Sequence, residues 1–101
     1  MSVKNITLVD HMNDQDSPIN AKLKSTLNRF FKQYPETAEG CIIRRDWDGY
    51  EYVLIIEESS LYYHLQGEYG WAIHTAFHNE FVNSGFYPEM INSCQIAFYK
   101  D

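Results

Sequence analysis

The sequence predicts an α+β domain: a twisted antiparallel sheet in the order β-α-β-β-β-α-β, with two helices packed on one face. Three observations carry that expectation. Two segments repeat apolar residues at the 3.6-residue helical period, an Asp-Gly pair separates two runs rich in β-branched and aromatic residues, and the last residues alternate apolar with polar. The 101 residues are 45% hydrophobic and 22% charged, which suits a single domain over 1–101 whose core folds without disulfide or metal support.

Val3 to Val9 reads as a first strand through Val3, Ile6, Leu8 and Val9, and a polar stretch from His11 to Asp16 follows. Ser17-Pro18 is a helix start, because a side-chain oxygen caps free amides and proline is preset for the first helical position. Ile19, Leu23, Leu27, Phe30, Phe31 and Tyr34 then hold helical spacing, with Lys22, Lys24, Arg29 and Lys32 on the other faces and Pro35 as the stop.

A strand from Cys41 to Trp47 meets a return strand from Tyr50 to Glu57 through Asp48-Gly49, a dipeptide suited to the two positive φ angles of a type I′ turn. That turn sets the register: Trp47 opposite Tyr50, Arg45 opposite Tyr52, Ile43 opposite Leu54. Asp46 then faces Glu51, a like-charge pair that costs stability. Glu58-Ser59-Ser60 reads as a turn, and Leu61 to Leu65 as the third strand of a meander. After Gly67 and Gly70, the residues Trp71, Ile73, Phe77 and Phe81 mark a second helix that Gly85 caps. Phe86-Tyr87-Pro88 reads as a loop, and Cys94 to Tyr99 as the closing strand.

Charge is divided unevenly. Residues 1–45 hold seven Lys and Arg against five Asp and Glu, a net of +2, whereas 46–101 hold nine acids against Lys100 alone, a net of −8. An acidic half repels phosphate, so direct nucleic-acid binding is disfavoured and a basic protein is the natural partner. Aromatics reach 16%, with eight Tyr, more rings than a minimal core uses; some are therefore expected at the surface as contact residues. Met1 to Asn5 has no basic stretch leading into an apolar run, and no later window approaches a membrane span, so a cytoplasmic location is the expectation. Cys41 and Cys94 lack the spacing of a zinc or redox pair and read as reduced thiols.

Chemistry is weakly signalled. His74 and His78 stand four apart and share a helix face, but a four-coordinate zinc needs further ligands that the chain does not place nearby. No bound metal or cofactor is expected. Asp46, Asp48 and Glu51 do not follow the spacing of a calcium loop, and the sequence contains no glycine-framed serine and no phosphate-cradling glycine loop. No catalytic residue is assigned. Tyr50, Tyr52, Tyr62, Tyr63 and His64 form a possible base-stacking set on the sheet, but without a basic funnel around them.

The segment Ile42-Ile43-Arg44-Arg45-Asp46-Trp47-Asp48-Gly49-Tyr50-Glu51-Tyr52-Val53 resembles the first hairpin of a small phage-encoded anti-CRISPR inhibitor of Cas9. The resemblance covers residues 42–53. It implies a protein that occupies a basic nucleic-acid site as a DNA mimic, with contact roles for Asp48 and Glu51. Together with the charge division it points to a non-enzymatic inhibitor of the phage anti-defence or toxin-immunity kind. Asp46, Trp47, Asp48, Tyr50, Glu51, Glu57 and Glu58 form the expected surface, and a nucleic-acid-binding effector or nuclease is the expected partner. A homodimer is compatible with this reading. The alternative is a small ligand-binding or His-dependent enzymatic domain using His64, His74 and His78.

Overall fold

The computed structural model describes residues 8–13 and 19–100. Its class is α+β, as expected, but the order of elements differs. Helices α1 (Leu8–Met12) and α2 (Ala21–Gln33) and a 3-10 turn (Pro35–Thr37) precede strands β1 (Ile42–Trp47) and β2 (Tyr50–Ile55). Helices α3 (Leu61–Leu65) and α4 (Ala72–Asn83) then precede β3 (Phe86–Asn92) and β4 (Gln95–Lys100). The four strands form one antiparallel sheet in the order β1-β2-β4-β3.

Four expectations are corrected. Leu8 and Val9 belong to a helix rather than a strand; Val9 and Met12, three apart, bury one side of it, and the remaining residues of the expected first strand, 3–7, lie outside the described residues. Helix α2 is capped at Asn20, whose Oδ1 accepts from the amides of Lys22 (2.9 Å) and Leu23 (3.2 Å), while the expected Ser17-Pro18 start also lies outside the described residues. Leu61–Leu65 is helical. The Ser59 hydroxyl accepts from the Leu61 amide at 3.0 Å and turns the chain away from the sheet. Phe86-Tyr87-Pro88 is the start of β3, an edge strand that tolerates proline. Proline cannot donate, so its nitrogen costs nothing where it faces the open side of the sheet and removes a donor there.

Helix α3 closes on a glycine. Gly67 has φ +81, and the amides of Gly67 and Glu68 bond back to the carbonyls of His64 and Tyr63, a Schellman closure. Gly85 closes α4 in the expected way, at φ +84 with its amide on the Val82 carbonyl.

Both long helices pack on one face of the sheet. Leu23, Leu27, Phe30 and Phe31 of α2 and Phe77 and Phe81 of α4 join Ile43, Tyr52, Leu54, Ile56, Phe86, Ile96 and Phe98 in the core. Phe30 meets Phe77 edge-on at 5.0 Å, and Phe81 stacks on Phe98 at 4.7 Å, so one ring cluster links α2, α4 and β4. Arg29 joins the helices at the surface, through Glu80 (3.2 Å) and Ser84 (2.7 Å), so part of the basic side of α2 is engaged within the fold. The buried Tyr52 hydroxyl accepts from the Asn20 amide at 2.9 Å and ties the start of α2 to β2.

Burying a leucine stabilises by about 1.5–3 kcal/mol, and truncation in a packed core costs about 2–5 because the cavity adds to the lost transfer term. Leu27 is fully buried and Lys32 is exposed. Leu27→Ala is therefore expected to lower the melting temperature sharply and Lys32→Ala to leave it nearly unchanged, as thermal unfolding followed by circular dichroism will record.

Candidate functional site

The β1–β2 hairpin carries the sequence-predicted surface, and its register is the expected one: Ile43 pairs with Leu54, Arg45 with Tyr52 and Trp47 with Tyr50. Asp48 (φ +54) and Gly49 (φ +85) supply the two left-handed residues of the turn. The expected Asp46–Glu51 pair is absent from the ladder. Asp46 itself has φ +54, which interrupts the strand's alternation. Past that break Trp47 lies against the Arg44 guanidinium, 4.2 Å from its ring centroid, and Tyr50 meets Tyr99 edge-on at 6.2 Å.

These contacts lie on the sheet face turned away from the helices. One cross-strand row runs Arg44, Val53, Ala97 and Glu89 over all four strands, and Tyr87 pairs with Tyr99 in a second row. Val53 and Ala97 are completely buried although they stand apart from the helix-side core. Tyr87 and Tyr99 remain exposed. Tyr99 donates to Glu89 Oε1 at 3.1 Å; desolvation and this hydrogen bond push its phenol above the ordinary tyrosine value. Trp47, Asp48, Asn92 and Gln95 line an open depression of about 410 Å³.

Asp46, Trp47, Asp48, Tyr50 and Glu51 thus come together at the hairpin tip, whereas Glu57 and Glu58 do not join them. They follow β2 at its other end, about 20 Å away at the rise of an extended strand. The negative charge at the tip is also offset by neighbours, since Arg45 lies 3.9 Å from Asp46 and the Arg44 guanidinium lies on Trp47. Tyr87 and Glu89 complete the surface with Tyr99 of the expected last strand; they were missed as site residues because Pro88 made the start of β3 read as a loop. Alternation across Pro88 was the available signal.

The histidines are divided. His64 packs on Tyr69 at 5.0 Å, while His74 and His78 line a small cavity of about 60 Å³ under α4 with Leu65, Phe77, Pro88, Met90 and Ile96. Among the described residues no group of three His, Cys, Asp or Glu side chains gathers into a metal site. Tyr62, Tyr63 and His64 lie on α3 and Tyr52 is buried, so the expected base-stacking set does not form on the sheet. The buried Ser59 hydroxyl donates to the Thr37 carbonyl, which also accepts from Cys41 Sγ at 3.3 Å. Burial pushes the Cys41 thiol up to about 11, against a weaker lowering by Ser59, and leaves it a poor nucleophile. No family model, curated protein or solved structure matches the chain.

Two measurements follow from this chemistry. Glu89→Gln is expected to bring the Tyr99 phenol back toward its ordinary value in a titration read by phenolate absorbance; an unmoved curve would show that the pair does not hold in solution. In the native protein, Cys94 is expected to react with a thiol reagent well before buried Cys41. The folded Cys41 thiol titrates above the unfolded one, so its contribution to stability is intact below pH 9.0 and is lost as pH rises towards about 11.

Proposed function

We propose that the protein is a non-enzymatic inhibitor or interaction protein, of the phage anti-defence or toxin-immunity kind. It binds a basic protein through the sheet face that the helices leave open. The observation that carries this reading is the set of rings on that face, Trp47, Tyr50, Tyr87 and Tyr99, with Glu89 among them and Asp46, Asp48 and Glu51 at the adjoining hairpin tip. Tyrosine and tryptophan offer large contact area at little cost in side-chain entropy, which is why they recur at the energetic centres of interfaces. The surrounding carboxylates steer a positively charged partner, and the chain's formal net charge of −6 adds a longer-range field of the same sign.

A nucleic-acid-binding effector or nuclease fits as partner, because such proteins present basic grooves that an acidic, aromatic surface can fill. Capture from the lysate of the natural host identifies the partner; association kinetics then test the surface. Replacing Asp48 and Glu51 with lysine is expected to slow association about tenfold at low salt and much less near physiological salt, where charges more than about 8 Å apart are screened. The same reversal at Glu57 and Glu58 should have a smaller effect. A tip-reversed variant that binds as fast as wild type at low salt refutes the assignment of this face.

A further inference from the structure

Residues 59–79, spanning α3, its connection and the first half of α4, carry one formal charge, Glu68, in a chain that is 22% charged. Three large rings are nevertheless exposed there: Tyr69 at 65%, Trp71 at 59% and Tyr63 at 44% of their surface. Tyr63 and Tyr69 lie 6.0 Å apart, and Trp71 meets His74 edge-on at 5.2 Å. The helical spacing of Trp71 with Phe77 and Phe81 predicts a shared core face, but Trp71 stands at the helix cap and turns outward.

The indole is also held in place. Gly67 is left-handed, and a Cβ added to it would collide with the Trp71 ring, so the ring lies flush on the glycine backbone. A fixed aromatic side chain binds with less entropy to lose than a mobile one. At roughly 200 Å² per aromatic side chain, the three exposed fractions amount to about 340 Å² of ring surface, a substantial part of the roughly 800 Å² per partner of a stable interface.

We propose that this α3–α4 corner is the contact surface of a homodimer. Charge selects the occupant. Two copies of a −6 chain repel over most of their surfaces, and a corner with a single carboxylate is where a second copy approaches at least cost. A basic partner gains no steering from an uncharged patch, whereas a two-fold pairing needs only a surface complementary to itself, which mixed edge-on and tilted rings provide. Pairing through the sheet is hindered at both edges: β3 carries Pro88, which has no amide hydrogen to donate, and Asn13 forms a parallel bridge to Ile43 on β1. The corner belongs to the helical layer, so a dimer leaves the Trp47–Tyr99 face free.

Sedimentation equilibrium over a concentration series, with circular dichroism as a check on folding, tests the proposal. Wild type is expected to be a dimer that tightens with added salt as like charges are screened, the opposite of the salt response expected of the acidic sheet face. Tyr69→Ser with Trp71→Ser is expected to weaken dimerisation at least tenfold while the far-ultraviolet spectrum stays native. Gly67→Ala, which keeps every ring but displaces the indole, should weaken it by less. Wild type that stays monomeric throughout overturns the proposal, as does a dimer that the double substitution leaves equally tight. The tip reversal at Asp48 and Glu51 should not weaken the dimer, so failure of one surface is distinguishable from failure of the other.

Discussion

The ring cluster of Phe30, Phe77, Phe81 and Phe98 is the constraint on which the rest of the architecture depends. It is shared by α2, α4 and β4, elements separated by long stretches of chain, and it draws both helices to the same side of the sheet. One-sided packing has a direct consequence for the opposite face. Among the described residues no helix lies above it, and Tyr87 and Tyr99 meet solvent there. The Arg29–Glu80–Ser84 contacts hold the two helices together at their exposed edge but add little beside the buried rings, since exposed ion pairs are worth about 0–1 kcal/mol.

A second, polar constraint orients the hairpin. The Thr37 carbonyl accepts from both Ser59 Oγ and Cys41 Sγ, and the left-handed Gly40 lies so close to the Glu58 carbonyl that any side chain there would strike it. These contacts join the entry of β1 to the exit of β2 at the end of the hairpin remote from Asp48. Ser59 and Cys41 therefore serve packing. Their burial, and the raised thiol of Cys41, place these two side chains out of reach of a substrate.

The two proposed surfaces rest on different physics. The sheet face combines rings with carboxylates and suits an oppositely charged partner met at long range, with Arg44 and Arg45 keeping the local charge at the hairpin tip modest. The α3–α4 corner has rings with almost no charge and suits a partner of the same sign met at short range. Since they occupy different layers of the fold, a dimer built on the corner presents two copies of the sheet face, and a partner with two basic sites gains from both.

Where local chemistry is decisive, the sequence by itself determined the structure: the α+β class, the α2 stripe from Leu23 to Phe31, the Asp48-Gly49 turn with the pairing of Trp47, Arg45 and Ile43 to Tyr50, Tyr52 and Leu54, and the Gly85 closure of α4 are all legible, because a period, a positive-φ requirement or a cap acts within a few residues. Short or mixed segments were decided by tertiary structure. Leu61–Leu65 has leucines that fit either a strand or one helical turn, and the Ser59 hydroxyl and the core settle it as helix. Pro88 reads as a break in isolation and is accommodated because β3 lies at a sheet edge, which brought Tyr87 and Glu89 unannounced beside Tyr99 of the last strand. Glu57 and Glu58 belong with Asp48 and Glu51 in any count of charge, yet a strand length separates them. Trp71 keeps the helical period but projects outward from the cap on Gly67. Composition and periodicity register which residues are present and how they are spaced; which of them share a surface depends on strand order and helix placement, and those are set by long-range packing.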